Sequence, residues 1–271
     1  MYEFRVSSET ALVILMRPRP MGFEVLLLRR QSASFSFPGG AIHPNEDGRV
    51  AAARVLFEDC GVLLGRDAGQ AETLEMPSLP ALRKKIVGGA NATETLRQAG
   101  LTWASEALFA WSHWLSPSSS GLSSPGIRID SAGSSTRLFV AEMPPGMLPA
   151  FAKDETVESM WIRPSDAELR ADELLLSPHT IRTCWELQHF DKINEVLAAA
   201  RKRASEQHAI LPRMGPNFCL LLPWDPEYVS AGQGESLPFT FDPKWAQGPS
   251  RFVREDRTWK LVAAPGLKTE G

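Results

Sequence analysis

Residues 37–62, FPGGAIHPNEDGRVAAARVLFEDCGV, are the stretch of this chain whose residue types and spacing point most directly to chemistry. A Pro-Gly-Gly turn ends at Gly40. Glu46, Arg54, Glu58 and Asp59 follow, and Gly61 closes the run. Residues 47–60 read as a helix: Ala51, Ala52, Ala53, Leu56 and Phe57 favour it, no Pro interrupts it, and Gly61 is a good terminator. On such a helix Arg54 and Glu58 stand one turn apart, as do Val55 and Asp59, so these groups can share one side. Clustered carboxylates repel one another unless a cation sits among them. Oxygen-only ligands suit Mg²⁺ or Mn²⁺, which keep several waters and also bind phosphate oxygens. Taken singly, Glu58 or Asp59 reads as a surface acid, Glu58 bridged to Arg54. The joint pattern points to a cation and a phosphate.

The spacing is Gly40, five residues, Glu46, seven residues, Arg54, and then Val-Leu-Phe-Glu-Asp-Cys-Gly-Val. It resembles the Nudix box. That resemblance implies a loop–helix–loop whose paired acids hold divalent cations, while water attacks a diphosphate linked to another group. It gives Glu58 and Asp59 metal-ligand roles, with Asp59 standing for a Glu. Arg54 would orient a neighbouring carboxylate, and Glu46 would be an outer acid. One position departs from the pattern: Val55 stands where the box has Glu, and it can neither coordinate a metal nor accept a proton. General-base assistance is worth ~10²–10⁴-fold, whereas a metal still activates water and clamps phosphate oxygens. The resemblance makes Glu155, in KDETVESMW, the first candidate for the missing catalytic and metal-binding acid. Glu158 and Asp154 stand in reserve, and a solvated polar loop is the competing reading.

These residues need elements to position them. Residues 10–16 and 23–29 are β-rich and separated by a turn-like segment. Helices are expected near 79–87, 92–99 and 103–115, with Gly88-Gly89 and Gly100 as breaks. A Ser/Gly-rich loop is expected at 116–135, and strands at 136–143 and 157–162. Helices are expected at 165–173, 178–188 and 191–204, and late β-like runs at 218–222 and 258–263. The resemblance implies an α/β (α+β) Nudix-type fold, a mixed sheet sandwiched between helices. The expected organisation is a single domain over 1–271, with a helical insertion at about 67–115 and a C-terminal extension from about 205. LLLRR before FPGG, WSHWLSP, STRLFVAEMP and LPRM…LLLPWDPEY resemble the peroxisomal coenzyme A diphosphatase branch and its bacterial relatives. Ser135 departs from that branch, which commonly has Asp there. The short stretch from Arg30 to Phe37 also lacks its fuller upstream signature.

Composition bounds the rest. A chain of 271 residues with 43% hydrophobic residues can bury a sizeable core. A net charge of −3 with no dense basic tract argues against a nucleic-acid binder. Cys60, Cys184 and Cys219 show neither a disulfide framework nor a zinc pattern. No signal peptide or membrane-length segment is visible, so a cytoplasmic protein without a membrane partner is expected. Arg29 and Arg30 at a strand end, Gly39 and Gly40 in the turn, and Arg137 on a later strand are candidate substrate contacts. For the three arginines, solvated cations are the competing reading. The aromatics Trp103, Phe109, Trp111 and Trp114 read as the core of the insertion ahead of a stacking surface. The leading expectation is a Mg²⁺- or Mn²⁺-dependent pyrophosphohydrolase. Its substrate is a nucleoside diphosphate linked to another moiety, with coenzyme A or an acyl derivative as the leading guess. Glu58, Arg54 and Glu155 carry its chemistry, and Glu58, Asp59 and Glu155 hold the ion. The alternative is a weakened or inactive Nudix-fold binding or interaction protein. Expected partners are a small-molecule diphosphate and, left open, a second copy of the chain.

Overall fold

The computed structural model describes residues 6–30, 34–67, 78–116, 133–151, 156–203, 209–231, 243 and 245–265. The apolar run Ala11–Met16 lies in β1 (Val6–Pro18), a strand buried on both faces. Leu12, Ile14 and Met16 point into one core, and Ala11, Val13 and Leu15 into the other, as the period of two requires of a central strand. The turn at Gly22 leads into β2 (Phe23–Arg30), which pairs antiparallel with β1. Two short strands, β3 (Phe35–Ser36) and β4 (Gly39–Ala41), bring the chain through the Pro-Gly-Gly turn. Helix α1 (Gly48–Cys60) follows. The chain then runs through β5 (Gly65–Asp67), α2 (Leu79–Val87), α3 (Ala92–Gln98) and β6 (Leu101–Trp103). It returns to the sheet as β7 (Phe109–Ser116), β8 (Gly133–Glu142) and β9 (Thr156–Ile162).

Three helices come next: α4 (Pro164–Leu169), α5 (Pro178–Leu187) and α6 (Ile193–Arg203). The last described part holds β10 (Ala209–Ile210), β11 (Arg213–Met214), β12 (Leu220–Leu221), α7 (Tyr228–Ala231), β13 (Arg251–Glu255) and β14 (Thr258–Val262). Among the described residues the main sheet has eight strands, with the path β10-β7-β8-β1-β2-β3, β4 beside β1 and β9 beside β2. It is mixed: β1 runs parallel to β8 and antiparallel to β2. Helices α1, α2 and α3 contribute to the core on one face, and α4, α5 and α6 to the core on the other. β11 to β14 form a separate four-stranded sheet, of which Phe252 and Leu261 pack on the second core.

One expected element differs. Residues 103–115 are not a helix: β6 ends at Trp103, and β7 pairs antiparallel with β8. Aromatic side chains suit a pleated, half-buried surface, and pairing across the sheet outweighs the weak helical preference of Ala and Leu here. Trp111 and Trp114 are accordingly core residues of the sheet. Among the described residues, the helical part between α1 and β7 consists of α2, α3 and a single 3-10 turn at Ser105–Ala107. No described helix is long and apolar enough to cross a membrane.

Candidate functional site

Helix α1 is fixed at both ends. The Asp47 carboxylate accepts hydrogen bonds from the backbone N–H groups of Arg49 (2.9 Å) and Val50 (3.2 Å), an N-cap. Gly61 adopts φ 64° and donates its N–H to the Phe57 carbonyl, a left-handed C-cap that favours glycine. Ala51, Ala52 and Ala53 are fully buried, and side chains this small let the helix lie close to the sheet. Arg83, from α2, donates to the Glu58 and Asp59 carbonyls at the helix C-terminus and to Ala150 O. A cation there complements the helix dipole. Nothing in the local sequence marks Arg83 for this role, because the contact depends on how α2 docks.

The helix presents two charged arrays. In the first, Arg54 donates Nε and Nη2 to the two oxygens of Glu46, both at 2.7 Å. It also donates Nη1 to Glu58 (2.9 Å) and Nη2 to the Ala41 carbonyl (2.8 Å). The backbone N–H of His43 adds a bond to Glu46. Burial alone would raise the Glu46 pKa, but the Arg54 and His43 hydrogen bonds outweigh it and hold the group below its ordinary value. Glu58 moves the other way. Burial raises its pKa, the nearby Asp59 charge adds to the rise, and Arg54 only partly offsets it. This array faces a cleft of about 450 Å³ lined on its other side by residues 89–93, which lead from the end of α2 into the first turn of α3.

In the second array, Asp59 is buried and tied to the Pro-Gly-Gly turn. Its Oδ2 accepts from the Gly39 N–H (2.8 Å) and from Arg30 Nη2 (2.5 Å). The same Arg30 nitrogen donates to the Gly39 carbonyl. Gly39 has no room for a side chain, since a Cβ would collide with the Ala11 carbonyl and with Leu12. Val55 is 2% exposed, and its Cγ1 lies 3.2 Å from where a Gly40 Cβ would stand. It packs beneath the turn as a core residue.

The other expected site residues are spread more widely. Arg29 pairs with Glu158 at 2.6 Å, because the two sit opposite each other on β2 and β9. Arg137 approaches Glu9 at 3.5 Å. It also lines a second cleft, of about 160 Å³, beside Asp47, Arg49, His113 and Trp245. Glu155 and Asp154 lie outside the described residues. His113, half-buried on β7, carries no motif that marks it in the sequence. It shares a 2.8 Å hydrogen bond with Ser135, and burial followed by the Arg137 charge lowers its pKa.

The described residues do not fit a divalent ion. Val55 offers no donor, Glu58 is paired with Arg54, and the Asp59 oxygen that faces the turn already carries two hydrogen bonds. Among the described residues no group of three or more His, Cys, Asp or Glu side chains is placed to share one.

No protein-family model matches the sequence, and neither does any curated protein. Solved structures do. A Nudix hydrolase from Alicyclobacillus acidocaldarius is 19% identical over 72% of this chain and 97% of its own, with a TM-score of 0.58. A C. elegans Ap4A hydrolase is 14% identical over 71% of this chain and 98% of its own (TM-score 0.41). A MutT protein from Bacillus halodurans is 12% identical over 79% and 94% (TM-score 0.41). At those two scores neither adds to the argument, whereas the first carries the comparison of folds. With its mixed eight-stranded sheet between two layers of helices, this chain has the Nudix fold.

Proposed function

We propose that this chain is a Nudix-type diphosphate hydrolase with a weakened site, acting on a nucleoside diphosphate linked to another moiety. The observation that carries the reading is the intact Glu46–Arg54–Glu58 array, set in an open cleft that residues 89–93 also line. A cleft of about 450 Å³ falls within the size range of small-molecule sites. Glu58 is half-buried with a raised pKa, the environment that suits a carboxylate to take a proton from an attacking water. Arg54 fixes the orientation of that carboxylate. The Gly39-Gly40 turn gives a phosphate close access to backbone, and Gly89–Thr93 forms the lip against the leaving group. Coenzyme A or an acyl derivative is the first candidate, on the outer motifs that resemble the coenzyme A diphosphatase branch.

A second reading, binding without turnover, is favoured by one observation. The position that supplies an acid in the Nudix box is here a buried Val55. Incubating the protein with dinucleotides, nucleotide sugars and coenzyme A esters, while measuring binding in parallel, separates the two. Turnover that Glu58→Gln removes supports the hydrolase. Tight binding of a diphosphate compound without turnover supports the second reading, and neither binding nor turnover overturns both.

A further inference from the structure

Arg30 ends β2 and reaches the helix across the Pro-Gly-Gly turn. One nitrogen, Nη2, joins two oxygens from different elements, the Gly39 carbonyl on β4 and the Asp59 carboxylate on α1. Backbone carbonyls and carboxylates are the oxygens that a hard divalent cation gathers. A guanidinium is also a permanent cation, and it cannot be deprotonated in a protein. The remaining surroundings agree with an organic cation. Val55, one turn before Asp59, brings no further oxygen, and the Gly39 N–H occupies Asp59 from the side of the turn. The Arg30 side chain is 41% exposed, while Asp59 is 9% exposed. Nε and Nη1 of Arg30 hydrogen-bond to nothing else among the described residues, so two further donors of the planar fork are available to a phosphate.

We propose that Arg30 is the resident cation of the box. It takes the Asp59 carboxylate and the Gly39 carbonyl in place of a divalent ion, and it makes diphosphate binding at this site independent of metal. The proposal deepens the functional reading above and rests on it for the identity of the ligand. The rival is an arginine that merely neutralises a buried acid.

Two measurements on the full chain decide it. In the first, Mn²⁺ is titrated against wild type, Arg30→Ala and Arg30→Ala/Asp59→Asn, with free Mn²⁺ followed by electron paramagnetic resonance. Circular dichroism checks folding. Wild type should leave Mn²⁺ free. Arg30→Ala should gain one Mn²⁺ site, which the added Asp59→Asn removes. A stoichiometric Mn²⁺ in wild type that Asp59→Asn abolishes would overturn the proposal. So would a folded Arg30→Ala that gains none, since Arg30 would then be the structural counter-ion of the rival reading. If Arg30→Ala does not fold without metal, folding rescued by Mn²⁺ counts as the gained site, and failure to rescue counts against it.

In the second, ADP binding is measured by calorimetry in excess EDTA and in excess Mg²⁺. Wild type should bind equally in both. Arg30→Ala should lose about ten- to a hundredfold in EDTA, the weight of charge-assisted hydrogen bonds to one guanidinium. Binding by wild type that EDTA abolishes would refute metal independence. If ADP does not bind and no compound is turned over, the functional reading fails, and the Mn²⁺ titration still decides the role of Arg30.

Discussion

Arg54→Met removes the hub of the first charged array while keeping an aliphatic stem of similar length. The loss can be worked from the contacts. Arg54 makes four hydrogen bonds, three of them to carboxylates, and its side chain is 6% exposed. Breaking a buried ion pair by removing one partner costs ~3–5 kcal/mol. The Glu46 and Glu58 side chains are 14% and 26% exposed and keep some contact with water, which places the cost near the lower end, ~3 kcal/mol at pH 7. For a chain of this size that is a fall in Tm of roughly 6–12 °C. Urea unfolding of both proteins between pH 4 and pH 8 tests it. Glu46 has a lowered pKa, so its contribution is present above the ordinary carboxylate value and lost as pH falls through the lowered one. Glu58 has a raised pKa, so its ionised form is disfavoured in the fold, and Arg54 limits that penalty. Both acids lose their cation in the variant. The stability gap between the two proteins should therefore be full at neutral pH and narrow towards pH 4. Adding Glu46→Gln to the variant should recover part of the loss. A gap below ~1 kcal/mol, the size of an exposed pair, or one that does not change with pH, would refute the reasoning.

Hydrolysis should fail on the acid side at a pH above the ordinary glutamate range, because Glu58 must be ionised and its pKa is raised; a log(kcat/KM) profile flat down to pH 4 would count against Glu58 as the base. Val55→Glu should destabilise the protein by several kcal/mol, since an unpaired acid would enter a buried position; combined with Arg30→Ala, the same change should raise metal-dependent turnover by up to ~10²–10⁴-fold, and a folded double variant without any gain would remove position 55 from the chemistry. Glu186→Ala should cost ~3–5 kcal/mol in a urea melt, because Arg182 (2.8 Å) and Arg203 (2.7 Å) both lose their buried carboxylate partner. Diphosphate binding by any folded fraction of Glu186→Ala should remain unchanged, and a coupled loss would show that this network reaches the site.

The parts of the site that were legible in the sequence are local ones. The Asp47 cap, the alanine run and Gly61 mark out α1, and helical spacing alone places Glu58 against Arg54. The longer contact from Arg54 to Glu46 agrees with the spacing of the box. What stayed hidden depends on register and docking between distant segments. Arg30 and Asp59 meet only because β4, paired with β1, brings Gly39 within reach of both, and Arg29 and Glu158 only because β2 pairs with β9. Arg83 reaches the helix end only once α2 has packed. In the same way β7 reads as a helix until its partner β8 is known, since the apolar residues of 103–115 fit either period. Val55 was legible as a missing acid, but its packing under Gly40 was not.

The central claim is that the Glu46–Arg54–Glu58 cleft is a working diphosphate site. Time-resolved ³¹P NMR of wild type and Glu58→Gln, each incubated with coenzyme A, a dinucleoside polyphosphate and a nucleotide sugar, tests it most directly. The account predicts that wild type slowly converts at least one diphosphate resonance into monophosphate products and that folded Glu58→Gln does not. Equal conversion by both proteins, or no conversion and no line broadening with any of the compounds, would contradict it.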